Sequence, residues 1–345
     1  SASHNPYEDN GIKFFDSDGL KIDTKIEEKI SKQMGSKPQL VVPSELGRAS
    51  RINDVLGRYT EFAKISIPAS LTLNRMKIVA DCANGAAYKI LPQILSELGA
   101  EVVSIAVNPD GFNINEECGS TKPEKAQKAV LESGADIGIC LDGDADRVLF
   151  IDEQGLLVNG DQVLGLLARA WVNKNLLNKN TIVATIMSNF ALELFLKKIG
   201  VNLIRTQVGD KNVSKCMNAE GLNLGGEQSG HLILADYSNA GDGLITSLQV
   251  LSVLVESQKK ASEVFDLFKP FPQSLINIDA QKCNDFEKNE KIKKMLEDVQ
   301  HSLNGRGRIL IRKSGTEDVI RLMVEHKEEN KLQETIDTCM SILKK

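Results

Sequence analysis

The chain has 345 residues, of which 41% are hydrophobic and 26% are charged, and its formal net charge is −5 at pH 7. This length is too great for a single domain, since domains typically hold about 100–200 residues. The composition is typical of a soluble globular protein. The negative charge argues against nucleic acid or an acidic membrane surface as a partner. No apolar run approaches the ~20 residues of a membrane span.

The six cysteines are scattered and include no C-x-x-C pair. In a chain of this size, that distribution predicts reduced thiols that mainly serve packing. The first 20 residues do not have the pattern of a signal peptide. We therefore expect a cytoplasmic location.

Strands and helices alternate regularly from residue 76 onward, after a polar helix predicted at residues 23–34. The first cycle predicts strands at 76–81, 101–107 and 136–141, with helices at 86–98 and 124–133. The second cycle predicts helices at 162–172, 190–199, 211–218 and 244–256, with strands at 181–187 and 202–208. Such alternation is typical of βαβ units and a mostly parallel sheet.

The order of elements changes after residue 270. A strand at 274–278 precedes a charged helix at 285–302, strands at 308–312 and 319–325, and a helix at 331–343. The sequence therefore predicts the α/β class: consecutive three-layer α/β domains with mixed or parallel sheets, followed by a small α+β C-terminal domain.

An acidic loop, Asp142-Gly-Asp-Ala-Asp-Arg147, carries the strongest chemical signal. It follows a predicted strand, at the carboxyl end where open α/β sheets bind ligands. Three carboxylates at alternate positions can converge on one divalent cation, and hard oxygen ligands suit Mg²⁺. An EF-hand is excluded because Arg147 stands where that loop needs glycine and because strands flank the loop. An acidic surface turn is the other alternative.

Three further segments carry candidate ligands or reactive groups. Ser3-His4-Asn5-Pro6, with Lys13 nearby, offers a nucleophile or phosphate carrier and a candidate proton shuttle. Gly225-Gly-Glu-Gln-Ser-Gly-His231 offers a carboxylate and a hydroxyl for sugar hydroxyls, or is simply a glycine-rich hairpin. Arg312-Lys-Ser-Gly-Thr-Glu317, with Arg321 beyond it, has the groups that bind phosphate, or is a basic exposed turn.

These four segments, in this order, resemble the α-D-phosphohexomutase superfamily, and their sequences are most similar to those of its bacterial phosphoglucosamine mutase branch. The resemblance extends from Ser1 to Lys345. It implies four domains: residues 1–65, a remnant of domain 1 with the serine loop; 66–156, with the metal-binding loop; 157–268, with the sugar-binding loop; and 269–345, with the phosphate-binding loop.

The resemblance also implies roles for individual residues. Ser3 would carry a phosphoryl group, Lys13 would be the general acid/base beside His4, and Arg147 would contact the phosphoserine. Asp142, Asp144 and Asp146 would bind one Mg²⁺ together with an oxygen of phosphorylated Ser3. The sugar would contact Glu227 and Ser229, and its non-reacting phosphate would contact Arg312, Ser314, Gly315, Thr316 and Arg321.

The activity implied by the resemblance is an intramolecular phosphotransfer of the isomerase class. It would interconvert glucosamine 6-phosphate and glucosamine 1-phosphate, with a hexosamine bisphosphate as intermediate and activator, and so supply amino sugars for peptidoglycan precursors. Phosphoglucomutase/phosphomannomutase activity and a non-catalytic sugar-phosphate-binding remnant are the alternatives. The partner is a phosphosugar, and a homodimer stays open.

The sequence differs from the superfamily pattern at its front. Members place an entire α/β domain before and around the serine loop, whereas this sequence starts two residues before Ser3. We therefore expect a fragment or a truncated product with reduced mutase activity.

Overall fold

The computed structural model describes residues 1–17, 19, 21–50, 54–279, 289–313 and 319–343. The chain forms two compact units. The first contains Ser1–Met187 and Val201–Asp266, and the second contains Ser188–Gly200 and Leu267–Lys345.

A five-stranded mixed sheet lies in the first unit, with the strand order β2-β1-β3-β4-β5. Its strands are β1 (Lys77–Asp81), β2 (Glu101–Ile105), β3 (Ile137–Leu141), β4 (Val148–Asp152) and β5 (Leu157–Val158). β1 runs parallel to β2 and β3, whereas β4 runs antiparallel to β3. All residues of β3 and β4 are buried, as expected for strands covered on both faces.

Two helices accompany this sheet, α3 (Ile90–Glu97) and α4 (Glu124–Ser133). α4 has the predicted bounds and packs Ala126 and Val130 against Val79 and Ile151. α3 begins four residues later than predicted. The N–H group of Ala86 donates to the carbonyl oxygen of Gly143 at 2.8 Å, which holds the chain in turns before the helix.

A four-stranded sheet, with the order β7-β6-β8-β9, also lies in the first unit. Its strands are β6 (Thr181–Thr185), β7 (Asn202–Thr206), β8 (Leu224–Gly226) and β9 (Leu232–Leu234). The helices of this part are α5 (Gly160–Asn173), α7 (Asp210–Glu220), α8 (Gly243–Ser257) and α9 (Ala261–Phe265). Asn159 and Gln162 form a capping box that fixes the start of α5.

Two helices precede the first sheet, α1 (Thr24–Met34) and α2 (Val55–Ile65). α1 begins after Asp23, whose side chain accepts a hydrogen bond from the N–H group of Lys25. α2 has no counterpart in the sequence-based prediction. It packs against α3 and α8.

The second unit contains an antiparallel sheet with the order β10-β12-β11 and the helices α6, α10 and α11. The bounds are α6 (Phe190–Lys198), β10 (Gln273–Asp279), α10 (Glu290–Ser302), β11 (Gly307–Lys313), β12 (Val319–His326) and α11 (Glu329–Leu343). Residues 285–288 of the predicted helix lie outside the described residues.

The core of the second unit lies between its sheet and two helices. Leu322 and Val324 of β12 pack against Leu296 of α10 and Ile336 of α11. The predicted fold class, α/β domains followed by a small α+β domain, is confirmed. Among the described residues, no helix combines the length and the apolar character needed to cross a bilayer.

Candidate active site

The acidic loop joins β3 to β4 and is closed by its own backbone. The N–H group of Arg147 donates to Asp142 Oδ1 at 3.1 Å, and the N–H group of Ala145 donates to the carbonyl oxygen of Asp142 at 3.0 Å. Ala145 has a φ of 61°, in the left-handed region. This folding gathers three carboxylates, and one oxygen each of Asp142, Asp144 and Asp146 lie within 4.8 Å of one another.

Burial and mutual repulsion set the electrostatics of these aspartates. Asp142 is fully buried, and burial together with the charges of Asp146 and Asp144 raises its pKa to about 7. Burial also acts to raise the pKa of Asp146, but His231 and Lys13 outweigh it and lower that pKa. One oxygen of each aspartate is buried and has no hydrogen-bond partner: Asp142 Oδ2, Asp144 Oδ1 and Asp146 Oδ1. Three such oxygens suit a hard divalent cation.

Lys13 reaches this loop from the opening segment. Its ammonium donates to Asp144 Oδ2 and, at 3.0 Å, to Asp146 Oδ2. Burial lowers the pKa of Lys13, but the hydrogen bonds and charges of the two aspartates outweigh it, so the pKa is raised. Lys13 is therefore charged in this arrangement.

The serine loop lies directly against the acidic loop. The N–H group of Gly143 donates to the carbonyl oxygen of Ser3 at 3.0 Å. Ser3 Oγ lies 3.4 Å from His4 Nδ1. Burial and the nearby charge of Arg147 lower the pKa of His4, which favours its neutral form. The structure thus places the predicted hydroxyl, imidazole and lysine beside the predicted metal loop.

The segment Gly225–His231 is a hairpin that connects β8 to β9, as the glycine-rich hairpin alternative predicted. The carbonyl oxygen of Gly230 accepts a hydrogen bond from the N–H group of Val148 at 3.0 Å, which ties the hairpin to the end of the acidic loop. Glu227 is partly buried and accepts from the N–H group of Gly209 at 3.0 Å, whereas Ser229 is exposed.

Three residues at the site have no role in the sequence-based prediction: His231, Asp210 and Lys21. Buried His231 lies between two carboxylates, with Nδ1 3.5 Å from Asp146 Oδ1 and Nε2 3.7 Å from Asp210 Oδ2. Lys21 pairs with Asp210. His231 ends the glycine-rich motif, which was a usable signal, whereas the contacts of Asp210 and Lys21 are non-local.

An open cleft lies over these groups. One part has a volume of about 450 Å³ and is lined by Lys13, Asp144 and Asp146. A second part of about 690 Å³ is lined by Lys211 and the start of α7. Both parts include Lys21 and His231. Both volumes lie in the range of small-molecule sites.

The second unit carries the predicted phosphate-binding residues. Arg312 on β11 and Arg321 on β12 are direct register partners, so their side chains lie on one face of the sheet. Ser314, Gly315 and Thr316 lie outside the described residues. Guanidinium groups are among the side chains that bind phosphate.

Family models cover most of the chain. They describe the phosphoglucomutase/phosphomannomutase alpha/beta/alpha domains I, II and III and the C-terminal domain, which match residues 1–40, 58–155, 159–271 and 275–340.

Curated relatives are similar over nearly the whole chain. A phosphoglucosamine mutase of Zymomonas mobilis is 50% identical over 337 residues, 98% of this chain and 76% of that protein. A phosphoglucosamine mutase of Granulibacter bethesdensis is 50% identical over 345 residues, 99% of this chain and 75% of that protein.

Solved structures share the fold. A phosphoglucomutase/phosphomannomutase family protein of Burkholderia thailandensis superposes with a TM-score of 0.78 at 22% identity, over 100% of this chain and 75% of that one. An Aspergillus fumigatus N-acetylphosphoglucosamine mutase, in complex with GlcNAc-6P and magnesium, gives 0.76 at 18% identity, over 99% of this chain and 86% of that one.

The fold and the four domain matches define a phosphohexomutase, an isomerase that transfers phosphate within a sugar phosphate. Because the chain is 50% identical to curated phosphoglucosamine mutases, it belongs to the phosphoglucosamine mutase family. The resemblance inferred from four motifs is confirmed.

Proposed function

We propose that the chain interconverts glucosamine 6-phosphate and glucosamine 1-phosphate through a phosphorylated Ser3 and a hexosamine bisphosphate. The observation that carries this proposal is the 3.0 Å hydrogen bond from the N–H group of Gly143 to the carbonyl oxygen of Ser3. It holds a hydroxyl-bearing turn against a loop with three converging aspartates. A phosphate carrier next to a metal loop is the pairing that phosphoryl transfer requires.

Asp142, Asp144 and Asp146 would hold Mg²⁺, because their buried oxygens without hydrogen-bond partners are the hard ligands this ion prefers. When bound, the ion supplies charge neutralisation to the phosphoryl group in transfer. Arg147 adds a fixed positive charge at the same loop, its Nε 4.0 Å from Asp142 Oδ2.

In the first half-reaction, a hydroxyl of the sugar attacks the phosphorus of phosphorylated Ser3 and the bond from phosphorus to Ser3 Oγ breaks. Lys13, charged in this arrangement, gives its proton to the departing Oγ, and its neutral amine then takes the proton that the attacking hydroxyl releases. His4, favoured in the neutral form, lies beside Ser3 Oγ. The second half-reaction reverses these steps with the other phosphate of the bisphosphate.

Between the half-reactions the bisphosphate must reverse its orientation, so one distal receptor has to accept either phosphate. We propose that Arg312 and Arg321, register partners on β11 and β12, form that receptor together with Ser314, Gly315 and Thr316. Glu227 and Ser229 lie on the hairpin joined to the acidic loop, where they would bind sugar hydroxyl groups.

The test is turnover by the purified chain, primed with a hexose bisphosphate and Mg²⁺ and followed by ³¹P NMR. We expect glucosamine 6-phosphate to react faster than glucose or mannose phosphates. We also expect mass spectrometry to find phosphate on Ser3, and Ser3→Ala to abolish turnover. Preference for glucose 1-phosphate would favour the phosphoglucomutase alternative, and binding without turnover would indicate a non-catalytic sugar-phosphate binder.

A further inference from the structure

The turn that presents Ser3 has an unfavourable backbone. The N–H group of Asn5 donates to the carbonyl oxygen of Ala2 at 3.0 Å, which closes a four-residue turn with Ser3 at its first central position. Ser3 has a φ of 54°, in the left-handed region that non-glycine residues rarely adopt. A strained conformation of this kind persists only when surrounding groups fix it.

Asn115 supplies that fixation from another part of the first unit. Its side-chain amide donates two hydrogen bonds of 2.8 Å, one to the carbonyl oxygen of Ser3 and one to that of Asn5. The amide orientation is determined by chemistry, because both partners are carbonyl oxygens and can only accept. With Gly143, the carbonyl oxygen of Ser3 thus has two donors.

Asn115 is itself held rigidly. It is 8% exposed and its φ of 58° lies in the left-handed region, which Asn tolerates better than most residues. Its N–H group donates to the carbonyl oxygen of Ala83 at 2.9 Å. The fully buried carboxylate of Asp81, at the end of β1, accepts from the N–H groups of Ala83 and Gly119 at 3.0 and 2.7 Å. A chain of hydrogen bonds therefore runs from the sheet to the serine loop.

We infer that Asn115 is a positioning residue that fixes the turn carrying Ser3 against the metal loop. This inference rests on the proposed function, because the position of Ser3 matters for transfer only if Ser3 carries the phosphoryl group. Asn115 acts through the peptide carbonyl groups on both sides of His4. Small displacements of a reacting group can cost about 100-fold in rate without weakening substrate binding.

Two variants test the inference. Asn115→Ala removes both donors, and Asn115→Asp keeps the shape but turns a carboxylate oxygen toward two carbonyl oxygens. We expect each to lower kcat by about 10- to 100-fold, with KM for glucosamine 6-phosphate within about threefold of the wild type. The matched control is Asn113→Ala, because Asn113 lies in the same loop but donates to the carbonyl oxygen of Asn108. It should leave kcat near the wild-type value.

Hydrogen–deuterium exchange of the peptide covering residues 1–13 gives a readout independent of activity. We expect faster exchange in Asn115→Ala and Asn115→Asp than in the wild type, and no change in Asn113→Ala. Unchanged exchange, or unchanged kcat in folded variants, overturns the inference. A wild-type chain without turnover would refute the proposed function instead, and exchange alone would then decide whether Asn115 holds the turn.

Discussion

The ammonium of Lys13 donates to Asp146 Oδ2 at 3.0 Å, so a side chain of the opening segment reaches the acidic loop. The same ammonium also bonds to Asp144. The ammonium of Lys13 and a bound Mg²⁺ would therefore compete for the carboxylates of Asp144 and Asp146. A substitution of Lys13 should therefore change the affinity of the site for Mg²⁺.

We expect Lys13→Met to have opposite effects on metal binding and on turnover. Removing a competing cation should tighten Mg²⁺ binding by about 1.5- to fivefold, as expected from the roughly 0.2–1 kcal/mol of exposed ion pairs. Turnover should fall by at least about 100-fold, as for loss of a general acid/base. Isothermal titration calorimetry and the mutase assay measure the two effects. Lys25→Met, an exposed lysine on α1, is the control, and weaker Mg²⁺ binding in Lys13→Met would contradict the expectation.

Asp144→Asn should abolish stabilisation by divalent cations. Ligand that binds only the folded state at about 100 times its Kd stabilises by about 2.7 kcal/mol. We expect Mg²⁺ to raise the Tm of the wild type and EDTA to reverse the rise, whereas Asp144→Asn should show neither change. Asp54→Asn, which alters an exposed aspartate paired with Arg58, should respond as the wild type does. A Tm rise that survives in Asp144→Asn would place the ion elsewhere.

Gly143→Ala should disrupt the contact between the serine loop and the acidic loop. A Cβ at this position would lie 2.5 Å from the carbonyl oxygen of Ser3 and 2.6 Å from Ile114 Cδ1, well inside van der Waals contact. We expect a loss of about 1–3 kcal/mol in unfolding free energy, typical of overpacking, and a kcat at least tenfold lower. Chemical denaturation and the mutase assay measure these effects.

The control for this glycine is Gly47→Ala, because a Cβ at Gly47 meets no atom within 4 Å. That variant should match the wild type in both measurements. If Gly143→Ala also matches the wild type, the close approach of the two loops is not needed for activity.

Glu153 should make stability depend on pH in the acid range. Its carboxylate accepts hydrogen bonds from Ser262 Oγ at 2.6 Å and from the N–H group of Ser262 at 2.9 Å. Burial acts to raise the pKa of Glu153, but these hydrogen bonds outweigh it and lower the pKa. A lowered pKa means that the stabilisation is present above the unfolded-state pKa and is lost as pH falls through the folded-state pKa.

Glu153→Gln should therefore cost about 0.5–1 kcal/mol near neutral pH, a range limited by solvent screening, and less near pH 3, which lies below the unfolded-state pKa of a glutamate. Urea denaturation across this pH range measures the difference. A double-mutant cycle with Ser262→Ala isolates the contribution of the hydroxyl group. A cost that is the same at both pH values would show that the carboxylate charge is not involved.

Local pattern was sufficient to predict most elements and the acidic triad. Asp142, Asp144 and Asp146 are alternate residues of one loop after a buried strand, so their convergence depends on a few neighbouring dihedral angles. The predicted bounds of α4 are confirmed, and the structure shows that Gly134 caps its end at a φ of 62°, typical of a left-handed cap.

The features that were not predicted from the sequence depend on contacts between residues that are distant in sequence. Asn115 reaches Ser3 across 112 residues, and His231 reaches Asp146 through the pairing of a hairpin with the acidic loop. The hydrophobic periodicity of the sequence does not predict such long-range contacts. Helix α2 was not predicted; its 11 residues include Gly57, and only Thr60 and Ala63 are buried.

Helix α6 lies between β6 and β7 in sequence but belongs to the second unit. There, the Asn189 side chain bonds to the backbone of Phe271, and Glu325 accepts from the N–H group of Phe190 at 3.0 Å. A single cut after Asp266 would therefore release a C-terminal piece without its own first helix. Chimeras that exchange this unit between relatives need residues 188–200 to be exchanged with it, so domain shuffling at one junction is a poor engineering route.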